Sequence, residues 1–207
     1  MDDRHKLIDG AARMGIELTE DQQDKLLHFM ALLLKWNKVF NLISRKESGA
    51  IVETHLLDSL SVLPYINGFR VIDVGSGSGL PGIPLAIMRP DCEFTLLDSN
   101  GKKGRFRTQA AIELGLKNIT VVDTRAEQFD AGDGFDSVVS RAFATVADML
   151  EVAGHMVSNK GKFLAMKGTN PQNELDEIPP GYQVEAVYPL QVPYLGAERH
   201  IAILTKD

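Results

Sequence analysis

The pattern of apolar and polar residues divides the chain near residue 69. Before that point, apolar residues recur three and four positions apart, which predicts amphipathic helices. The broadest apolar stripe comprises Leu26, Leu27, Met30, Leu33 and Leu34. After that point, short apolar runs rich in β-branched residues alternate with helical patterns, which is typical of a mostly parallel α/β sheet. We therefore expect residues 1–68 to form a helical extension packed on the sheet and residues 69–207 to form the main domain.

The second part of the chain predicts seven strands. Five are expected near residues 69–74, 93–98, 118–122, 135–140 and 161–167, with helices near 82–88, 101–115, 144–157 and 172–178. The last two strands, near residues 182–189 and 199–205, are joined by a connection too short for a helix, so they form an antiparallel hairpin. The expected fold is α/β, a three-layer sandwich whose mostly parallel seven-stranded sheet ends in this hairpin.

Local signals refine the helical part. Thr19 and Gln22 have the spacing of a helix-capping box, and Ser44 repeats that spacing with a glutamate three residues later. Asn37 and Asn41 flank two apolar residues and predict a turn.

A glycine-rich stretch from Asp73 to Gly82 follows the first predicted strand. Gly75, Gly77 and Gly79 lack Cβ atoms and allow the backbone to approach a ligand closely. Two prolines follow, and proline suits the first turn of a helix. A strand, a glycine loop and a helix N-terminus in this order present free backbone N–H groups to a nucleotide-like ligand.

Two kinds of ligand fit this stretch. Gly77 to Gly82 match the dinucleotide fingerprint G-x-G-x-x-G. Asp73, at the end of the strand, fits poorly beside a pyrophosphate but suits a ligand that carries an ammonium and a sulfonium. Asp98 ends the next strand, where a carboxylate accepts both ribose hydroxyls of NAD or of S-adenosylmethionine. A Walker loop is excluded because no Gly-Lys-Ser/Thr sequence follows the glycines.

Composition limits the partners. The chain has 207 residues, a net charge of −6 and a sequence pI of about 5.4. This balance argues against sequence-blind nucleic-acid binding but allows an enzyme that meets RNA through a local basic patch. The one cysteine, Cys92, forms no internal disulfide, and neither an apolar signal core nor an apolar run of about 20 residues occurs. We expect a cytoplasmic protein that does not enter membranes.

A set of short motifs resembles one known family over essentially the full length. The motifs are Lys35-Trp-Asn-Lys38, Asn41-Leu42, His55-x-x-Asp-Ser59, Gly79-Leu-Pro-Gly-Ile-Pro84, Leu97-Asp-Ser99, Ser140-Arg-Ala-Phe143, Lys167-Gly168 and Glu198-Arg-His200. In order and spacing they are similar to the ribosomal small-subunit methyltransferase G family, also called GidB. The resemblance implies a Rossmann-like class I methyltransferase that uses S-adenosylmethionine to methylate N7 of one guanine in 16S rRNA. An NAD(P)-dependent oxidoreductase and a non-catalytic RNA-binding module are the alternatives.

The expected cofactor site combines the glycine loop with the ends of neighbouring strands. Its residues are Asp73, Gly75, Gly77, Gly79, Leu80, Asp98, Ala126, Glu127 and Arg141. The resemblance implies that Gly75 and Leu80 line the methionine and sulfonium part of the cofactor and that Ala126 and Glu127 lie at the adenine. Arg141 orients either the cofactor carboxylate or an RNA phosphate.

The expected RNA site lies at the same edge of the sheet. Because the last strand runs antiparallel, Arg199 at its start should converge with Arg141 and Lys167 at the ends of parallel strands. The RNA-binding residues are expected to be Lys102, Lys103, Arg125, Lys167, Arg199 and His200. Guanine N7 carries a lone pair and no proton, so the reaction requires positioning by Arg141, Lys167 and Arg199 and no general base.

Other residues favour structural interpretations. Arg107 is predicted to lie on a solvated helix face, and Phe143 is predicted to be core more than a base-stacking residue. His55 and Asp58 share a helical face and are expected to form a structural hydrogen bond. We expect a monomer without a metal, acting on free 16S rRNA or on an assembling small ribosomal subunit.

Overall fold

A computed structural model describes residues 1–44 and 49–207. Within these residues, seven strands form one sheet in the order β3-β2-β1-β4-β5-β7-β6. The strands are β1 (Arg70–Val74), β2 (Glu93–Leu97), β3 (Ile119–Val122), β4 (Phe135–Ser140), β5 (Val157–Lys167), β6 (Tyr182–Pro189) and β7 (His200–Lys206). The first five are parallel, whereas β7 pairs antiparallel with both β5 and β6. The sheet and its closing hairpin confirm the predicted fold class.

Helices cover both faces of the sheet. They are α1 (Asp3–Arg13), α2 (Glu20–Phe40), a π-helical segment (Val52–Leu57), α3 (Asp58–Leu60), α4 (Gly82–Met88), α5 (Gly101–Glu113), α6 (Val146–Ala153) and α7 (Gln172–Leu175). The capping box at the start of α2 is confirmed, since Thr19 Oγ1 accepts from Gln22 N at 3.3 Å and the glutamine side chain accepts in return. In the described chain, no helix is both long and apolar enough to cross a membrane.

The turn predicted between Asn37 and Asn41 begins later than expected. Helix α2 continues through Asn37 to Phe40, and Asn41 caps it with a left-handed φ of 49°. The side chain of Asn37 accepts from Ile43 N at 2.9 Å and ties the outgoing chain back to the helix. The second predicted capping box involves Glu47, which lies outside the described residues.

Other predicted boundaries also differ from those in the structure. Helix α6 is shorter than expected and ends before Gly154, and β5 begins at Val157 instead of residue 161. The early start arises because β5 pairs with the first residue of β4, Phe135, next to a register shift.

The N-terminal helices share a hydrophobic core with α4 and α5. Leu26, Phe29 and Leu57 are fully buried in one cluster with Ile83 and Phe106. The described N-terminal helices therefore pack against α4 and α5, and the division of the chain at residue 68 stays a prediction.

Candidate functional site

The glycine loop between β1 and α4 stands at the carboxyl edge of the sheet. Gly75, Gly77 and Gly79 have φ values of 73°, 53° and 85°, in the left-handed region that favours glycine. The N–H groups of Gly75 and Ser76 both donate to Leu97 O, at 2.8 and 3.0 Å. The loop is thereby fixed to the end of β2.

Asp73 lies beneath this loop. It is fully buried, and its Oδ2 accepts from Gly82 N at 2.8 Å, at the start of α4. Burial raises the pKa of its carboxyl to about 7, against the opposing effect of that hydrogen bond. Asp73 does not line the large cavity described below, and its contact with the ligand stays a prediction. In the structure the carboxylate holds the first turn of α4.

Asp98 follows β2 and faces the other side of the loop. Its Oδ2 accepts from Gly77 N at 2.8 Å and its Oδ1 accepts from Asn100 N at 2.7 Å. The side chain is half-buried. A carboxylate has about four acceptor positions, so Asp98 keeps capacity for the two hydroxyls of a ribose.

A cavity of about 990 Å³ opens above the loop. Its walls come from the chain that follows α2 and from the ends of β4 and β5 and the start of β7. Of the predicted site residues, it is lined by Gly75, Gly77, Leu80, Lys103, Arg141, Lys167 and Arg199. The expected convergence of three cations from distant parts of the sequence is observed. The volume is at the upper end of the range for small-molecule sites, which leaves room for more than one ligand.

Asp58 joins two of these cations, a role that the sequence interpretation missed. Arg141 Nη1 and Arg199 Nε donate to the two carboxylate oxygens of Asp58 at 2.9 and 2.7 Å. The aspartate side chain is 1% exposed, and the two arginine side chains are 29% and 25% exposed. Asp58 therefore anchors both guanidinium groups from below while part of each faces the cavity.

Comparison with known proteins identifies the family. The family model described as "rRNA small subunit methyltransferase G" matches residues 22–202. The chain belongs to this family. Proteins named Ribosomal RNA small subunit methyltransferase G are 49% identical in Edwardsiella ictaluri, covering 95% of this chain and 96% of the relative, and 50% identical in Serratia proteamaculans, covering 92% and 93%.

Solved structures extend the comparison to the fold. TrmN from Thermus thermophilus matches with a TM-score of 0.56 at 18% identity, over 72% of this chain and 47% of its own. A precorrin-6y C5,15-methyltransferase from Geobacter metallireducens matches with a TM-score of 0.52 at 19% identity, over 80% and 90%. At these identities the likeness shows the class I methyltransferase fold alone. The chain therefore has the fold of S-adenosylmethionine-dependent enzymes, and the oxidoreductase alternative loses its support.

Lys167 of this methyltransferase G family member is held by the protein itself. Its Nζ donates to Ala144 O at 2.6 Å and pairs with Glu174 at 2.8 Å. The lysine side chain is only 11% exposed. Lys167 thus contributes a paired charge to the cavity wall, and its contact with RNA stays a prediction.

Several predicted residues lie outside the cavity lining. These are Asp73, Gly79, Asp98, Lys102, Arg125, Ala126, Glu127 and His200. Ala126 and Glu127 begin a short 3₁₀ helix after β3, where Arg125 and Glu127 are exposed. His200 is half-buried at the start of β7, and its Nδ1 is buried without a hydrogen-bond partner among the described residues. Phe143, expected in the core, is half-buried and lines the cavity while packing on the core cluster.

The prediction that Arg107 lies on a solvated helix face is wrong. Its side chain is fully buried. Nη1 donates to Gly77 O and Nη2 to Asp123 Oδ1, both at 2.7 Å. A signal is present in the sequence, because the small residues Gly104 and Ala110 lie three positions away on either side and mark this helical face as the packed one.

Proposed function

We propose that the protein transfers the methyl group of S-adenosylmethionine to N7 of a guanine in 16S rRNA. One observation carries the proposal: a chain that belongs to the rRNA small subunit methyltransferase G family over nearly all of its length places a glycine loop and two anchored arginines in one cavity. The loop suits the cofactor, and the arginines suit a nucleic acid.

The residues at the loop fit the cofactor. Gly77 lines the cavity, and a Cβ there would lie 3.7 Å from Lys103 Nζ and 3.9 Å from Gly75 O, so the missing side chain leaves the backbone facing the cavity. We assign the methionine part of the cofactor to Gly75, Gly77 and Leu80, the ribose to Asp98, and the adenine to Ala126 and Glu127. Gly79 and Asp73 support the loop from outside the cavity. When bound, S-adenosylmethionine supplies an electrophilic methyl group on a sulfonium.

The protein's contribution to the reaction is positioning. Guanine N7 is a nucleophile without a proton to remove, so alignment of the base in the cavity is sufficient. Arg141 and Arg199 each offer five N–H donors in a fixed plane, of which Asp58 takes one from each. Arg199 Nη1 also donates to Glu198 O at 2.8 Å, and Arg141 Nη1 lies 3.5 Å from Thr54 O. The other N–H groups of the two guanidinium groups are suited to an RNA phosphate or to guanine O6. Lys102, Lys103, Arg125 and His200 are proposed as further RNA contacts.

Cellular setting follows from the substrate. We propose a cytoplasmic monomer that acts on 16S rRNA, either free or in an assembling small subunit. Mapping of N7-methylguanine in 16S rRNA from cells with and without this gene tests the reaction. Loss of one methylated position without the gene is expected, and unchanged methylation at every position would reject the proposal.

Two substitutions separate the cofactor site from the RNA site. Asp98→Ala should weaken binding of S-adenosylhomocysteine, measured by calorimetry, because it removes the proposed ribose acceptor. Arg199→Ala should lower the methylation rate and leave that affinity nearly unchanged. Arg89→Ala, which removes an arginine paired with Asp91 away from the cavity, is the control for both. Equal loss of cofactor affinity in the Arg199 variant would move this residue to the cofactor site.

A further inference from the structure

Arg107 is the largest side chain in the described protein that is fully buried. Arginine is almost never buried completely unless it is paired, because the desolvation of its charge is costly. Its position is also unusual, since it lies in α5 directly behind the glycine loop and outside the cavity. The partners of this buried cation therefore indicate what it does.

The guanidinium of Arg107 and the carboxylate of Asp98 hold opposite ends of one loop residue. Arg107 Nη1 donates to Gly77 O at 2.7 Å, and Asp98 accepts from Gly77 N at 2.8 Å. Gly77 lines the cavity in a left-handed conformation with a φ of 53°. Both of its backbone polar groups are thus fixed by side chains from different elements, and its peptide orientation is set before any ligand binds.

A second layer holds the arginine in place. Arg107 Nη2 donates to Asp123 Oδ1 at 2.7 Å, directly after β3. Gly104, one turn earlier in α5, makes room for this aspartate, since a Cβ there would overlap the carboxylate. The three residues depend on one another, because the pair forms only where the helix approaches β3 closely.

Charge balance around the loop also requires the arginine. Burial lowers the pKa of Arg107. Three carboxylates around it oppose this effect, because each favours the charged form of the guanidinium; they belong to Asp73, Asp98 and Asp123. The same cation lowers the pKa of Asp73 beneath the loop. Without Arg107, the negative charges of Asp73 and Asp98 beside the loop would be less well balanced, and Gly77 O would lose its buried donor.

We propose that Arg107, held by Asp123 and Gly104, is a positioning residue that fixes the Gly77 peptide in its cofactor-binding orientation. The identity of the cofactor rests on the proposed function. A preorganised loop lowers the ordering cost of binding, so loss of the clamp raises the dissociation constant of the cofactor.

Arg107→Met tests this inference by calorimetry with S-adenosylhomocysteine. The substitution keeps an unbranched chain of similar length and removes both hydrogen bonds. The dissociation constant is expected to rise at least tenfold. Arg105→Met is the matched control, since it removes an exposed arginine from the same helix, and its affinity for S-adenosylhomocysteine should equal that of the parent. A folded Arg107 variant with parental affinity would overturn the proposal.

Asp123→Asn keeps the test open if the first variant does not fold. Its side chain is 43% exposed, so we expect the variant to fold, and a weaker hold on Arg107 should raise the dissociation constant by about threefold. An Asp123→Asn variant with parental affinity and parental exchange at the Gly77 amide would contradict the role of Asp123 in holding Arg107.

Hydrogen exchange of the Gly77 amide provides a readout that needs no ligand. Exchange at this amide should accelerate at least tenfold in Arg107→Met and about threefold in Asp123→Asn, while sheet amides keep their protection. A merely structural role would instead lower the melting temperature and leave the loop amide as protected as in the parent. If the parent itself fails to bind S-adenosylhomocysteine, the proposed function fails, whereas the exchange result still decides the role of Arg107.

Discussion

Asp73 gives this protein a stability that depends on pH near neutrality. Burial raises the pKa of its carboxyl from 3.8 to about 7 in the native state. Between these values the native state holds a proton that the unfolded chain has lost, so the free energy of unfolding falls as the pH rises through this interval. At about 1.4 kcal/mol per pH unit, roughly 3 kcal/mol of stability is lost between pH 5 and pH 8.

Asp73→Asn removes this titration and keeps an oxygen that accepts from Gly82 N. Relative to the parent, the variant should gain about 3 kcal/mol between pH 5 and pH 8, measured by urea unfolding at four pH values. Asp91→Asn is the control, because Arg89 lowers the pKa of Asp91 to about 2 and its contribution is lost only below pH 4. Parallel stability curves for parent and Asp73→Asn would refute the raised pKa and the burial argument with it.

Three further substitutions test the anchors of the site and the sheet. Asp58→Ala should lower the methylation rate at least tenfold and the free energy of unfolding by about 2 kcal/mol. The loss of stability is smaller than for a fully buried ion pair because Arg141 and Arg199 are partly hydrated. A drop in S-adenosylhomocysteine affinity as large as the drop in rate would contradict the separation of the arginines from the cofactor site. Asn118→Ala should cost about 2 kcal/mol in urea unfolding, since the two N–H groups of its amide are shared among three backbone carbonyls. Unchanged stability would show that water replaces these hydrogen bonds. Asp136→Ala should cost about 1–3 kcal/mol by the same measurement, because its carboxylate accepts from the backbone N–H groups of Phe69 and Arg70 at the start of β1. A loss below about 0.5 kcal/mol would reject that role.

The fold is predictable because each of its elements carries a local signal. The strands are short apolar runs, the loop glycines mark a strand-to-helix turn, and the Thr19 capping box marks the start of α2. The sequence pattern extends α6 too far because apolar residues continue past Gly154, where the helix ends. The early start of β5 has no local signal, since it depends on pairing with Phe135 in the partner strand.

The candidate site is predictable only in part. The convergence of Arg141 and Arg199 follows from strand direction, since the start of an antiparallel strand shares an edge with the ends of parallel strands. The depth of each side chain does not follow. Asp73 and Asp98 both end strands, yet one is sealed beneath the loop and the other is half-buried beside it. Burial depends on which helix packs over the strand end, and strand patterns carry no information about that.

Buried charged residues that hold the site in place are the hardest to predict. Asp58 and Arg107 are both missed for the same reason. Asp58 belongs to the N-terminal helical part, and Arg107 belongs to a helix that carries two exposed basic residues, Lys102 and Arg105. A charged side chain on an amphipathic helix is normally solvated, so helical spacing assigns Arg107 to the surface. For Asp58 it indicates a hydrogen bond to His55 and no ion pair. Each is buried because its counter-charges arrive from distant segments, at Arg199 for Asp58 and at Asp123 for Arg107. Since Asp58 anchors cavity residues of the sheet domain, the N-terminal helices are part of the site and not only its cover.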